Sequence, residues 1–209
     1  MKTLLPKLAA AAALAVTLFA IPALADDKAE LLSDANRTVD NLRRDPAFGS
    51  AARMMDQARG VYIVPKLVKG GFIFGAEGGD GVLLRRTGGH KWSEPKFYSM
   101  GSGSFGLQAG LERAELVFII MSDRALSGIE QGNFKLGAGG GITMVTLSSG
   151  VEGATTGHGG DLVVWSSGTG AYGGLTLNGS VISPDKDMNA TPTTGPEAQA
   201  LRSNLASIR

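Results

Sequence analysis

The stretch "GSGSFG", Gly101 to Gly106, carries the spacing G-x-G-x-x-G, which in other settings cradles or covers a phosphate. A dinucleotide site needs that turn to follow a strand and to open a helix, so that backbone N–H groups and the helix dipole face the pyrophosphate. Here "LQAGLERAELVFIIM" follows, and Leu107, Ala109 and Leu111 alternate with Gln108, Gly110 and Glu112. A period of two is a strand. Asp123 stands where a ribose-binding acid would be sought, but one acid at that distance carries little weight. The protein-kinase form of the loop needs a lysine on the next strand, and the first lysine after Gly106 is Lys135. Nucleotide binding is set aside, and the glycines are expected to serve close backbone packing and tight turns.

Other residue types able to do chemistry are sparse. His90 and His158 are the two histidines, neither is spaced as a metal pair, and both are expected in surface loops. The chain has no cysteine and no G-x-S-x-G, so covalent hydrolysis has no motif. The acids are too dispersed for a glycosidase pair. No catalytic residue, metal centre or cofactor is expected. Asp185, Asp187 and Asn189 imitate the first half of a calcium loop, but its sixth position is Ala190 and its twelfth Pro196. An Asp/Asn-rich turn is expected there, with a weak cation site as the alternative.

Basic residues gather in three places: Arg37, Arg43 and Arg44; Lys66 and Lys69; and Arg85 with Arg86. Brought together by the fold, they would meet anionic headgroups at about 1 kcal/mol per charge. Scattered, solvated charges are the alternative.

The elements that must position these residues begin after a leader. Lys2 and Lys7, the apolar run "LAAAAALAVTLFAIP" and "ALA" at 23–25 form a secretory signal pattern of the bacterial kind, with cleavage expected near Ala25. Export to the periplasm or the medium follows as an expectation. Residues 1–25 hold two lysines and no acid, so the remaining 184 residues carry 18 basic and 19 acidic side chains. That balance speaks against a nucleic-acid partner, which needs a cationic excess.

"DKAELLSDANRTVDNLRR", 27–44, places Leu31, Leu32, Ala35, Val39 and Leu42 on one helical stripe. That stripe suits either a core or a membrane surface, although it lacks the Trp or Phe of a strong inserter. Asp45-Pro46 reads as an N-cap followed by Pro at N1, predicting a second helix over about 46–59 that ends at Gly60. Residues 26–59 are thus predicted to form a helical hairpin. Beyond Gly60 the pattern turns to short apolar or alternating runs divided by glycine, predicting a β-rich core over 60–184. Gly88-Gly89 is its clearest hairpin turn, and Ser122 caps one short helix over about 122–131. A loop over 183–196 and a C-terminal helix bearing Ala198, Leu201, Leu205 and Ile208 close the chain. All 31 glycines follow the leader, a density that suits a strongly curved sheet. The fold class is α+β, a helical hairpin on a curved, mostly antiparallel sheet, sandwich or barrel-like core.

Four blocks carry a family resemblance. "RGVYIVPKLVKGGFIFGAEGGDGVLLRR", "KWSEPKFYSMGSGSFGLQAG", "LVFIIMSDRALSGIEQGNFKLGAG" and "GAYGGLTLNGSVISPDKDMN" resemble, in order, the conserved blocks of the SYLF domain. That domain occurs in yeast and animal endocytic proteins and in exported bacterial ones. The resemblance implies phospholipid binding through basic residues and an amphipathic N-terminal helix, with Lys66 and Lys69 in the matching P-K-x-x-K segment. It implies phosphoinositide ligands in eukaryotic members and actin bundling in some fungal ones. Neither carries to an exported chain without SH3 or FYVE modules, and "NATPTTG" replaces the family's aromatic ending here. The expectation is a non-enzymatic envelope protein that binds anionic phospholipid or membrane surfaces, with no nucleotide and an unknown protein partner. A structural or protein-interaction module without specific lipid binding is the alternative.

Overall fold

A computed structural model describes residues 6–49, 52–71, 74–105, 110–132, 134–137, 142–148, 160–167, 177 and 179–208. The runs after Gly60 form strands β1 (Gly60–Gly71), β2 (Phe74–Gly88), β3 (Lys91–Trp92), β4 (Lys96–Phe105), β5 (Gly110–Ile120), β6 (Phe134–Lys135), β7 (Met144–Ser148), β8 (Leu162–Ser166) and β9 (Val181–Pro184). They pair into one curled sheet in the order β6-β9-β4-β2-β1-β5-β8-β7, and β3 pairs with β2 as a short hairpin. Neighbours run antiparallel except β7 and β8. The helices are α1 (Pro6–Arg44), α2 (Pro46–Gly49), α3 (Asp123–Gln131) and α4 (Pro196–Ala206). The fold is α+β, as the sequence predicts. No helix among the described residues is long and apolar enough to cross a membrane.

Both faces of the sheet are buried, which is why "LVFII", Leu116 to Ile120 of β5, is continuously apolar instead of alternating. On the outer face, Val61, Ile63, Leu84, Ile119 and Trp165 meet Leu32, Ala35, Val39 and Leu42 of α1 and Leu201 and Leu205 of α4. On the inner face, Tyr62, Phe118, Val164 and Ile182 pack with Leu126 and Ile129 of α3. Strands β8 and β9, far apart in the sheet order, both feed that second core, so the sheet curls around it.

Proline in a central strand removes a ladder donor, and Pro65 lies in β1, the middle of the sheet. The ladder yields there. Pairing with β2 lapses between Ile63 and Val68, and pairing with β5 between Val64 and Leu67. The bulge pushes β1 backbone toward β2, where only glycine fits. A Cβ at Gly79 would lie 2.5 Å from the Lys66 carbonyl oxygen, and one at Gly81 would lie 2.5 Å from that of Ile63. The glycine motif behaves differently. Gly101 and Gly103 are β4 residues opposite Gly78 and Ala76, as the strand reading requires. A Cβ at Gly103 would meet nothing within 4 Å, and one at Gly101 would make only an ordinary contact at 3.5 Å. Close packing therefore belongs to β2 and not to these two glycines. Gly106 lies outside the described residues.

The predicted second helix over 46–59 is instead the short α2 followed by a 3-10 turn at Ala52–Asp56. Asp45 caps as expected, accepting a 2.9 Å hydrogen bond from the Ala47 N–H, but Gly49 is too weak a helix former to carry the helix onward. Phe48 and Met55 are still buried, so the apolar spacing held while the helix did not. The β2–β3 turn also shifts: Gly88 pairs with Lys91, which leaves Gly89-His90 as the turn, with Gly89 at φ 53°. Ser122 caps α3 as predicted, accepting from the Ala125 N–H at 3.2 Å.

Candidate functional site

The α1 stripe is core. Leu32, Ala35, Val39 and Leu42 are each at most 3% exposed and face the sheet, so the predicted inserting surface is already covered by protein. Burying that stripe turns the charged sides of α1 outward.

On one side Arg37, Asn41 and Arg44 line up at helical spacing. The neighbouring strands complete this flank. Asp34 pairs with Arg37 and stands 3.9 Å from the Lys66 ammonium. Glu115 of β5 accepts from the Thr38 hydroxyl at 2.8 Å and from the Asn41 amide at 3.0 Å, and Arg44 reaches the Asn41 side chain at 3.4 Å. Exposed Arg113, opposite Val68 in the β1–β5 register, adds a fourth cation. Arg37 and Lys66 keep 71% and 60% of their side chains in solvent, so their ion pairs are weak and both charges remain available to an external anion.

The other predicted basic residues lie elsewhere. Arg43 turns to the opposite side of α1 and donates to Asn204 at 2.8 Å and Ser207 at 3.1 Å, tying α1 to α4. Arg85 is exposed and sits 3.8 Å from Glu130 of α3. Arg86 donates to the carbonyls of Met55, Ala58 and Gly89 and stacks 4.4 Å over the Trp92 ring. Burial pulls its pKa below the usual arginine range, and its guanidinium holds the 3-10 turn against the hairpin. Lys69 stands in β1 opposite Glu77 and Glu112, and its side chain lies outside the described residues. The structure therefore joins Arg37, Arg44 and Lys66, and parts them from Arg43, Arg85 and Arg86.

The flank ends at an acidic cleft of 530 Å³ between α1 and the β1 bulge, lined by Asp27, Glu30, Asp34 and Asp80 together with Lys66. Partial burial, and then the charge of Asp185, hold the Asp80 carboxyl above the usual carboxylate range. Among the described residues no group of three or more His, Asp or Glu side chains could hold a metal ion. The calcium-like loop is spent internally. Asp185 accepts from the Asp187 and Met188 N–H groups at 3.0 and 2.9 Å, and the Asn189 side chain pairs with both the N–H and the C=O of Phe97. The expected loop thus carries a 3-10 turn, Met188–Ala190, docked on β4. His90 sits in the hairpin turn 4.0 Å from Asp56, and His158 lies outside the described residues.

One clamp had no sequence signal. Lys28, only 8% exposed, donates to the Thr191 hydroxyl at 2.7 Å and its carbonyl at 3.2 Å, 5.6 Å above the Phe97 ring. Its position on a helix rich in charge made it look like one more solvated lysine.

Comparison with known proteins adds ancestry to this geometry. Residues 101–192 match the family described as Ysc84, Las17-binding protein actin regulator. The chain is 29% identical over 140 residues to human SH3 domain-containing YSC84-like protein 1, covering 66% of this chain and 41% of that protein. It is 28% identical over 140 residues to Protein YSC84 of Saccharomyces cerevisiae, covering 65% of this chain and 30% of that protein. The chain thus spans about two fifths or less of the curated relatives it matches. No solved structure matches it. The family match over residues 101–192 and the two relatives support the SYLF domain family that the four sequence blocks resemble.

Proposed function

We propose that this chain is a non-enzymatic protein of the cell envelope that associates with anionic phospholipid surfaces through the α1 flank. The observation that carries this reading is the company of Arg37, Arg44, Lys66 and Arg113 along one exposed flank, where Asp34 and Glu115 bond to its side chains and the acidic cleft closes the Lys66 end. Solvent-exposed cations gathered on one flank draw an anionic leaflet within a Debye length, about 10 Å at 0.1 M salt, without any deep pocket. Because the apolar stripe of α1 is core, attachment rests on charge and not on insertion. Export through residues 1–25, with release near Ala25, belongs to the same proposal. Co-sedimentation with phosphatidylglycerol and phosphatidylcholine vesicles tests the reading. Binding is expected to the first only, and to fall steeply as salt rises; equal binding to both, or none at low salt, contradicts it.

A second reading, a protein-interaction module, draws on the family's printed description as Las17-binding. The same flank would then meet an acidic protein surface, and vesicle binding would be absent.

A further inference from the structure

A second cleft, sharing no lining residue with the acidic one, opens between the β2–β3 hairpin and the first turns of α4 and has a volume of 450 Å³. Its wall holds two cations from different elements, Lys91 of β3 and Arg202 of α4. Arg202 donates its Nε–H to the Trp92 carbonyl at 3.0 Å, which anchors the guanidinium on the hairpin. Its terminal nitrogens make no hydrogen bond among the described residues, and Lys91 makes no ion pair there. By contrast Arg59, Arg85 and Arg124 each face a carboxylate, of Asp123, Glu130 and Asp161.

The rest of the wall offers donors. Thr193, Thr194 and Ser203, each with a hydroxyl, are among the lining residues. Helix α4 begins there with Gly195 at its N-cap and no side-chain cap, so the positive end of its dipole opens onto the same space. Trp92 also lines the cleft; it is 2% exposed, and its indole N–H finds no acceptor among the described residues. Two acids bound the site: Glu94 in its wall and Glu197 beside Gly195.

We propose that this cleft binds a phosphate group, as inorganic phosphate or as a phosphate ester, held by Lys91, Arg202 and the first turn of α4. A guanidinium fork matches two phosphate oxygens, the ammonium adds a point charge, and an uncapped helix start supplies backbone donors. The site stands apart from the α1 flank and does not depend on membrane attachment.

Amide chemical shifts of the labelled protein, followed through a titration with inorganic phosphate at constant ionic strength, test this directly. Saturable shifts are expected at Lys91, Gly195, Glu197 and Ala198. Loss of one charged partner, in Lys91→Glu or Arg202→Gln, weakens the apparent affinity about tenfold or more, while Glu94→Gln tightens it. Lys91 is exposed, so its variant should leave the fold intact; Arg202→Lys, which keeps the charge, should restore part of the affinity. An absent or non-saturating response, or one unchanged in both Lys91→Glu and Arg202→Gln, overturns the proposal. Competition with glycerol 3-phosphate and sedimentation with phosphatidylglycerol vesicles then separate the sources. Weaker vesicle binding by Lys91→Glu assigns a lipid headgroup, whereas unchanged vesicle binding beside lost phosphate binding assigns a soluble ester or ion. Either result supports the site, and failure of the flank to bind vesicles leaves the phosphate titration untouched.

Discussion

Asp161 joins three elements through one carboxylate. Hydrogen bonds from Ser122 and from the Thr143 backbone, and then Thr143's hydroxyl and Arg124, hold its pKa down at about 2. A folded-state pKa below the unfolded value means that the ionised form stabilises the fold. That contribution is complete above the unfolded pKa, about 3.9, and is lost as pH falls toward 2. Asp161→Asn should therefore lower Tm at pH 7 and make little difference at pH 2; equal losses at both would contradict the assignment. The glycines give a second test at this scale. Gly81→Ala should cost about 1–3 kcal/mol, because its Cβ overlaps the Ile63 carbonyl. Gly103→Ala should move the urea midpoint far less. In the sequence these two glycines look alike, since only the Pro65 bulge, a tertiary feature, tells which of them another strand crowds.

Elements were legible wherever a local rule decided them. Ser122 ahead of Ala125, Leu126 and Ile129 predicts α3, and the cap and buried side are as read. The strands after Gly60 follow from apolar runs between glycines. The second helix was not legible, because Phe48 and Met55 satisfy a helical period while a short helix and a 3-10 turn bury them equally well. What holds that turn is Arg86, bonded to the Met55 and Ala58 carbonyls and stacked on Trp92. A lysine has one compact ammonium in place of the planar fork, so Arg86→Lys should lower Tm and raise amide exchange in residues 52–58 without changing the sheet. Unaltered exchange there would remove the clamp from the account. On α1, Leu42 is fully buried, and Leu42→Ala should cost about 2–5 kcal/mol in a urea titration. A cost near zero would mean that the stripe is free to leave the core.

At the scale of the whole molecule, family and fold class were readable because four blocks in order outweigh any single motif. The charge patch was readable only as composition. Whether Arg37, Arg43, Arg44, Lys66, Arg85 and Arg86 meet depends on helix rotation and on the direction of each strand's side chains. The fold sorts them into a flank, an α4 tie, a clamp and, at Arg85, a pair with Glu130. Arg113 entered the flank through the β1–β5 register, which no short-range pattern reveals. Removing α1 would not test membrane attachment, since its stripe covers the outer face of the sheet and its loss would strip that core of Leu32, Ala35, Val39 and Leu42. Charge reversal on the exposed side avoids that difficulty. The most direct measurement is low-salt sedimentation of Arg37→Glu/Arg44→Glu/Lys66→Glu with phosphatidylglycerol vesicles, beside an Arg85→Glu control and circular dichroism of each. The flank account predicts binding lost in the triple variant, kept in the control, and folded spectra for both. Undiminished binding by a folded triple variant would contradict it.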